Sequence, residues 1–364
     1  MVTPTEAALL DALKGVVDPN TGKDFVSTRQ LKNLRVDRGD VAFDVELGYP
    51  AASQIPALRA ELVAVARGVP GVVNVSVTLH SKVVAHAVQR GVALLPGVKN
   101  IVAVASGKGG VGKSTTTTNL ALALAAEGAQ VGILDADIYG PSQPMMMGLS
   151  GRPESADGKT IEPLVNYGVR VMSIGFMVEP DQAMIWRGPM VTQALDQLLR
   201  QTNWGDLDYL LVDMPPGTGD IALTLSQRVP LTGVVIVTTP QDIALLDAKK
   251  GLTMFEKVNV PILGIVENMS VYVCPNCGHA EHIFGADGGR RMAEQYKVEY
   301  LGALPLNLSI REQTDSGRPT VVADPDGEIA RIYKQVARRV AVAIAAKARD
   351  FSAKFPTITV SKNT

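Results

Sequence analysis

The chain has 364 residues, 46% of them hydrophobic, and a formal net charge of −1. That length admits two domains, and that composition supplies a large core, which excludes a disordered chain. Balanced charge, the lack of any apolar run of membrane-spanning length and an amino terminus without a basic segment argue against nucleic acid, membrane and secretion.

Thr3 to Gly15 reads as a short helix, with Ala8, Leu9, Ala12 and Leu13 on one face. Leu31–Val36 and Val41–Leu47 read as strands joined by a turn at Asp37-Arg38-Gly39-Asp40. Ile55–Ala66 has helical period and stops at Gly68 and Pro70, and Val72–Leu79 alternates as a strand. Residues 1–88 therefore form a small α-β-β-α-β domain, and 89–98, with Gly91, Pro96 and Gly97, form a linker. From 99 to 350 apolar strands alternate with helices. The strands are Ile101–Ala105, Val131–Asp135, Val169–Ile174, Tyr209–Asp213, Gly233–Thr238, Ile262–Asn268 and Tyr300–Leu304. The helices include Pro189–Arg200, Ile243–Val258 and Gly327–Ala346. This is an α/β fold with a mostly parallel sheet covered by helices on both faces, which binds ligands at the carboxyl ends of its strands. Residues 351–364 are a tail interrupted by Pro356 and poor in charge, unlike a basic amphipathic membrane helix.

The first of these strands runs into Gly107-Lys108-Gly109-Gly110-Val111-Gly112-Lys113-Ser114-Thr115, the spacing of a P-loop. Its glycines let successive backbone N–H groups turn toward phosphate oxygens, at the positive end of the next helix. ATP with Mg²⁺ is the expected ligand. Lys113 would reach the β- and γ-phosphates and the Ser114 hydroxyl would ligate magnesium. Asp135 and Asp137 close a strand beside that loop, where carboxylates serve the magnesium water shell and orient an attacking water. Asp213 ends the apolar strand Leu210-Leu211-Val212, as a second magnesium-side carboxylate does. Each acid alone also fits an ordinary strand-end residue or helix cap. The stretch from Met214 to Asp220, two prolines and then two glycines, suits a switch that senses the γ-phosphate.

These segments resemble the deviant-Walker ATPases related to MinD and ParA. Within that class the chain after Val98 is most similar to the Mrp/ApbC iron–sulfur cluster carriers. Leu134–Ser142, Trp186–Met190, Asp213–Asp220, Glu267–Ser270, Cys274–Gly278, Ile283–Gly285 and Leu304–Pro319 carry the resemblance. Residues 1–88, with Asp18-Pro19, resemble a small iron–sulfur-assembly-associated domain but contain no cysteine. The resemblance implies that Lys108 crosses a homodimer interface to the partner's nucleotide. It also implies that Asn268 contacts the adenine base.

Both cysteines of the chain stand in Cys274-Pro275-Asn276-Cys277, which points to a reducing, cytoplasmic setting. A cubane cluster takes four thiolates, and a two-fold dimer would supply them. The resemblance implies this [4Fe–4S] arrangement, with apo iron–sulfur proteins and a cluster donor as partners. His279 and His282 leave a Cys₂His₂ zinc set open as an alternative, although the gaps are tight. A positioning ATPase of MinD or ParA type with such a zinc is the competing function. A reductase like the nitrogenase iron protein is a third, against which the adjacency of the two cysteines argues.

Overall fold

The computed structural model describes residues 5–89, 92–155, 157–177 and 188–347. Helix α1 (Glu6–Leu13), strands β1 (Leu31–Asp37) and β2 (Asp40–Leu47), helix α2 (Ile55–Arg67) and strand β3 (Asn74–Ser81) build the amino-terminal unit. Thr5 caps α1 by accepting the Ala8 N–H at 3.2 Å. β2 lies in the middle, antiparallel to β1 and parallel to β3. Its side chains alternate, so Val41, Phe43, Val45 and Leu47 are all buried. Leu9 and Leu13 of α1 and Leu58 and Leu62 of α2 join them in one core.

The larger unit opens with β4 (Val98–Ala105), α3 (Lys113–Ala126), β5 (Val131–Asp135), the single turn α4 (Gln143–Met146), β6 (Leu164–Asn166) and β7 (Val169–Ser173). It continues with α5 (Gly188–Gln201), β8 (Leu207–Asp213), α6 (Asp220–Arg228), β9 (Gly233–Thr238), α7 (Asp242–Lys257) and β10 (Ile262–Glu267). A small hairpin of β11 (Tyr272–Val273) and β12 (Ala280–Glu281) follows. The chain then runs through α8 (Gly288–Tyr296), β13 (Tyr300–Ala303), α9 (Leu308–Asp315), α10 (Thr320–Ala323) and α11 (Glu328–Ala345). Eight strands pair in the order β13-β10-β9-β4-β8-β5-β7-β6, and only β6 runs antiparallel. Alternate residues of β4 feed two cores. Val102 and Val104 pack with Leu120 of α3 and Val340 of α11, while Ile101 and Ala103 pack with Leu195 of α5 and Leu252 of α7. Burial on both faces is why these strands are continuous apolar runs. The strand order reverses at β4, so the loop after it lies where such sheets bind ligands.

The expected strands and helices are present, with ends shifted by a few residues. Several elements were not expected, among them β6, α8, α6 and α9. β6 has three residues, too few to show a period, and α8 opens on Gly288-Gly289. α6 follows directly on the glycine-rich stretch before it, and α9 is short and polar. Val98, read as the end of a linker, already belongs to β4. The flanks of that stretch are fastened to the larger unit, Gln89 Nε2 donating to the Ser226 carbonyl at 2.9 Å and Asn100 Nδ2 to that of Val84 at 3.0 Å. Arg90, Gly91, Trp186, Arg187 and the tail 351–364 lie outside the described residues. No helix among the described residues is long and apolar enough to cross a membrane.

One apolar core runs from Leu9 and Phe25 through Val102 and Val104 to Tyr333 and Ile344, so the two units share it. A buried polar clamp reinforces the contact. Glu127, at the end of α3, accepts from Ser53 Oγ at 2.6 Å, Ser53 N at 3.0 Å and Arg338 Nη1 of α11 at 2.5 Å. Its carbonyl also takes the Ala52 N–H at 3.1 Å. Removing one member of a buried ion pair strands the other, so Arg338→Ala should cost about 3 kcal/mol. The measurement is the urea midpoint, with early proteolysis between the units as the accompanying sign. An unchanged midpoint would place the stability of the contact in the apolar core alone.

Candidate nucleotide and cysteine sites

The buried strand β4 delivers the chain at Ser106 into the glycine loop, and α3 leaves it at Lys113. Gly112 has φ +82°, and a Cβ there would stand 2.2 Å from Asn268 Nδ2. Gly107 has a different reason to lack a side chain, since a Cβ would stand 2.0 Å from the Asp247 carbonyl carbon of α7. The loop is thus held between α7 and the end of β10. Asn268 Nδ2 donates to the Val111 carbonyl at 2.9 Å. On the other side Gly217, in the loop before α6, donates its N–H to the Ser106 carbonyl at 2.9 Å.

Lys113 is buried against Asp213, Nζ to Oδ1 2.5 Å, and the same ammonium donates to Ser114 Oγ at 3.1 Å. Asp213, fully buried, also accepts from Thr117 Oγ1 at 3.1 Å and Gln143 Nε2 at 2.9 Å. Asp135 is the neighbouring strand end and is equally buried. It accepts N–H groups of Asp137 (3.2 Å), Ser142 (3.0 Å) and Gln143 (3.1 Å) and the Ser173 hydroxyl (3.1 Å). Its work is to fold the loop over 136–143. Burial and then the charge of Asp213 push its carboxyl up to about 7. Asp137 is half-buried; burial raises its carboxyl too, while the Lys113 ammonium pulls the other way. The Lys113 ammonium stands between a hydroxyl and a carboxylate, an all-oxygen surround that suits a hard cation such as Mg²⁺.

Lys108 is half-buried, and no carboxylate among the described residues pairs with it. Gly109 and Gly110 are exposed at the loop crest, and Thr115 lies one turn into α3. Two residues of the site were missed by sequence reasoning: Gln143 and Thr117, which both bind Asp213. Glu267, next to Asn268 at the end of β10, accepts the Gly289 N–H at the start of α8. Burial raises the Glu267 carboxyl. Gln143 lies one position beyond the recognisable Leu134–Ser142 segment, which is the only signal that could have found it.

The cysteines belong to the same end of the molecule. Beyond Asn268 the chain is tied down by Ser270 N to the Leu304 carbonyl (3.0 Å) and Leu306 N to that of Val271 (2.8 Å). The β11–β12 hairpin then closes through Cys274 N to the His279 carbonyl at 2.9 Å, with Gly278 at φ +72°. Cys274 is half-buried and Cys277 exposed. The backbone N–H groups of Cys277 and Asn276 point at the Cys274 sulfur and hold its thiol below the ordinary value. His282 Nδ1 lies 2.6 Å from the Ser270 carbonyl, which fixes that nitrogen as the N–H donor and leaves Nε2 as the one that could bind a metal. Among the described residues no three of His, Cys, Asp and Glu gather to hold a metal ion. The Cys₂His₂ set within one chain is therefore not assembled.

A family profile described as NUBPL iron-transfer P-loop NTPase, of the ParA group, matches residues 97–341, and one described as iron–sulfur cluster assembly protein matches residues 6–77. An iron–sulfur cluster carrier protein of Pseudomonas fragi is 60% identical over 269 residues, 73% of this chain and 94% of that one. Another, of Synechocystis, is 44% identical over 348 residues, 93% of this chain and 97% of that one. Among solved structures, a nucleotide-binding protein of Archaeoglobus fulgidus in complex with ADP has a TM-score of 0.57 at 38% identity, covering 65% of this chain and 93% of that one. With the P-loop, its carboxylates and the paired cysteines all accounted for, the chain belongs to the NUBPL family of iron-transfer P-loop NTPases and carries an iron–sulfur cluster assembly domain ahead of it.

Proposed function

We propose that the protein is an ATP-hydrolysing carrier that holds a [4Fe–4S] cluster between two copies of itself and hands it to apo iron–sulfur proteins in the cytoplasm. The observation that carries the reading is the cysteine hairpin. It offers two accessible thiols, one already biased toward thiolate, and among the described residues no third ligand gathers with them. Two such hairpins make a complete four-sulfur set, and a cargo held by two separable subunits can be released. The cluster is cargo here, received from a donor and passed on.

In the nucleotide site Lys113 would carry the β- and γ-phosphates, and Mg²⁺ held by Ser114 and, through water, Asp213 would neutralise their oxygens. Gly107, Gly109, Gly110, Val111, Gly112 and Thr115 would present backbone N–H groups to the phosphates. Asp137, whose proton affinity is raised, would orient and accept a proton from the attacking water. Lys108, free of a carboxylate, would reach the partner's phosphates and stabilise charge there. Asn268 would meet the adenine through its side-chain oxygen, since its nitrogen is bonded to Val111. The domain division that accompanies this reading is 1–88, 89–98, 99–350 and 351–364.

The test is reconstitution with iron and sulfide without oxygen, followed by sizing. The expected product is a dimer with about four irons and the visible absorption of a thiolate-bound cubane. A chain that stays monomeric with iron and nucleotide both supplied would overturn the proposal.

A further inference from the structure

Between the two units lies a cleft of about 1120 Å³, distinct from the nucleotide and cysteine sites. Its mouth is basic. Lys23, Arg29, Lys32 and Lys82 come from the amino-terminal unit, and Arg290 and Arg339 from the larger one. Against these six cations the lining sets two carboxylates, Glu46 and Glu299; Glu46 is already paired with Lys82 at 3.3 Å, and Arg290 with Asp287, outside the lining, at 3.2 Å. Lys23, Arg29 and Lys32 have no carboxylate partner among the described residues. In a chain of net charge −1 such an excess is local and needs an anionic complement.

The lining also has an apolar part. Ile332, Val342 and Ala343 of α11 belong to it, and so does β13, the terminal strand of the eight-stranded sheet. A terminal strand presents backbone groups with no strand partner on its outer side, and here the Leu301 carbonyl is held by Arg339 Nη1 at 3.0 Å, so an incoming backbone would share or displace that side-chain bond. A small anion would satisfy the cations and leave the apolar part of the lining wet. The volume also exceeds the ~300–1,000 Å³ usual for small-molecule pockets.

We propose that this cleft docks an extended acidic segment of a partner protein, with apolar residues interspersed among its carboxylates. Acidic side chains would meet the cations, apolar ones would lie on α11, and the backbone would run along β13. The amino-terminal unit then serves as one jaw of a recognition cleft, and the Glu127–Arg338 clamp holds that jaw in place.

The experiment is fluorescence anisotropy of the full chain with a labelled peptide of alternating glutamate and leucine. Binding should weaken with salt, and the same peptide with serine for leucine should bind about tenfold more weakly. Charge reversal on either jaw, by Arg29→Glu with Lys32→Glu or by Arg290→Glu, should cost about tenfold or more. Arg29→Gln with Lys32→Gln should give an intermediate loss. ATP turnover of these variants should equal that of the parent, which certifies their folding. Unchanged affinity in the variants of either jaw would overturn the proposal. So would displacement by tripolyphosphate or a single-stranded oligonucleotide as effectively as by unlabelled peptide, or failure of the parent protein to bind the glutamate–leucine peptide.

Discussion

Lys113→Ala should lower ATP turnover by about a thousandfold and weaken nucleotide binding with it, because the only buried cation of the phosphate loop is lost. The structure adds a second effect. Asp213 is fully buried, lies on the strand beside Asp135, and takes its charge compensation from Lys113 at 2.5 Å. Without that ammonium two buried carboxylates face each other, at a stability cost of about 3–5 kcal/mol. Adding Asp213→Asn to Lys113→Ala should therefore restore the melting midpoint while turnover stays lost. Lys108→Ala should behave differently, leaving stability unchanged and reducing turnover by about a hundredfold with little loss of binding. The paired measurement is a denaturation midpoint and a single-turnover rate for each variant. If both lysine variants lose binding and turnover equally, Lys108 does not act across the interface.

Cys274→Ala should abolish iron loading altogether, and Cys277→Ala should do the same, since in the proposed symmetric dimer each would remove two of the four thiolates. Neither should alter the melting midpoint. Cys277 is exposed and Cys274 half-buried on a two-residue-strand hairpin, so neither side chain belongs to a core. His279→Ala and His282→Ala should leave iron content as it was, because the proposed dimeric site takes all four of its ligands from cysteines. Iron and sulfide assays on protein handled without oxygen decide the matter. Retained iron in the cysteine variants, or zinc bound in stoichiometric amount by a single chain, would redirect the assignment of these residues.

The glycine loop was legible because its chemistry is local: phosphate binding needs small residues at fixed offsets, and Gly107 through Thr115 are contiguous. The buried strands were legible for a similar reason, since burial on both faces leaves a run such as Gly233–Thr238 without polar interruption. What escaped is what depends on distance along the chain. Glu127 and Arg338 stand 211 positions apart, and nothing about either in isolation marks a clamp. Gln143 reads as an ordinary polar residue until the fold brings Asp213, 70 positions away, to its amide. Asn268 was read as a base contact, and only the folded chain shows its nitrogen bracing the loop carbonyl of Val111. The shared core beneath the two units was invisible for the same reason, because Phe25 and Tyr333 join one core only through tertiary packing.

A short run of backbone separates Asn268, which touches the glycine loop, from Cys274 at the tip of the hairpin. Two ligands bound at the ends of one lever obey reciprocity. Whatever factor the triphosphate imposes on affinity for the cargo, the cargo must impose on affinity for the triphosphate. A loaded carrier and an unloaded one would then differ in their nucleotide dissociation constants, so the protein would register in its energy site whether its hands are full.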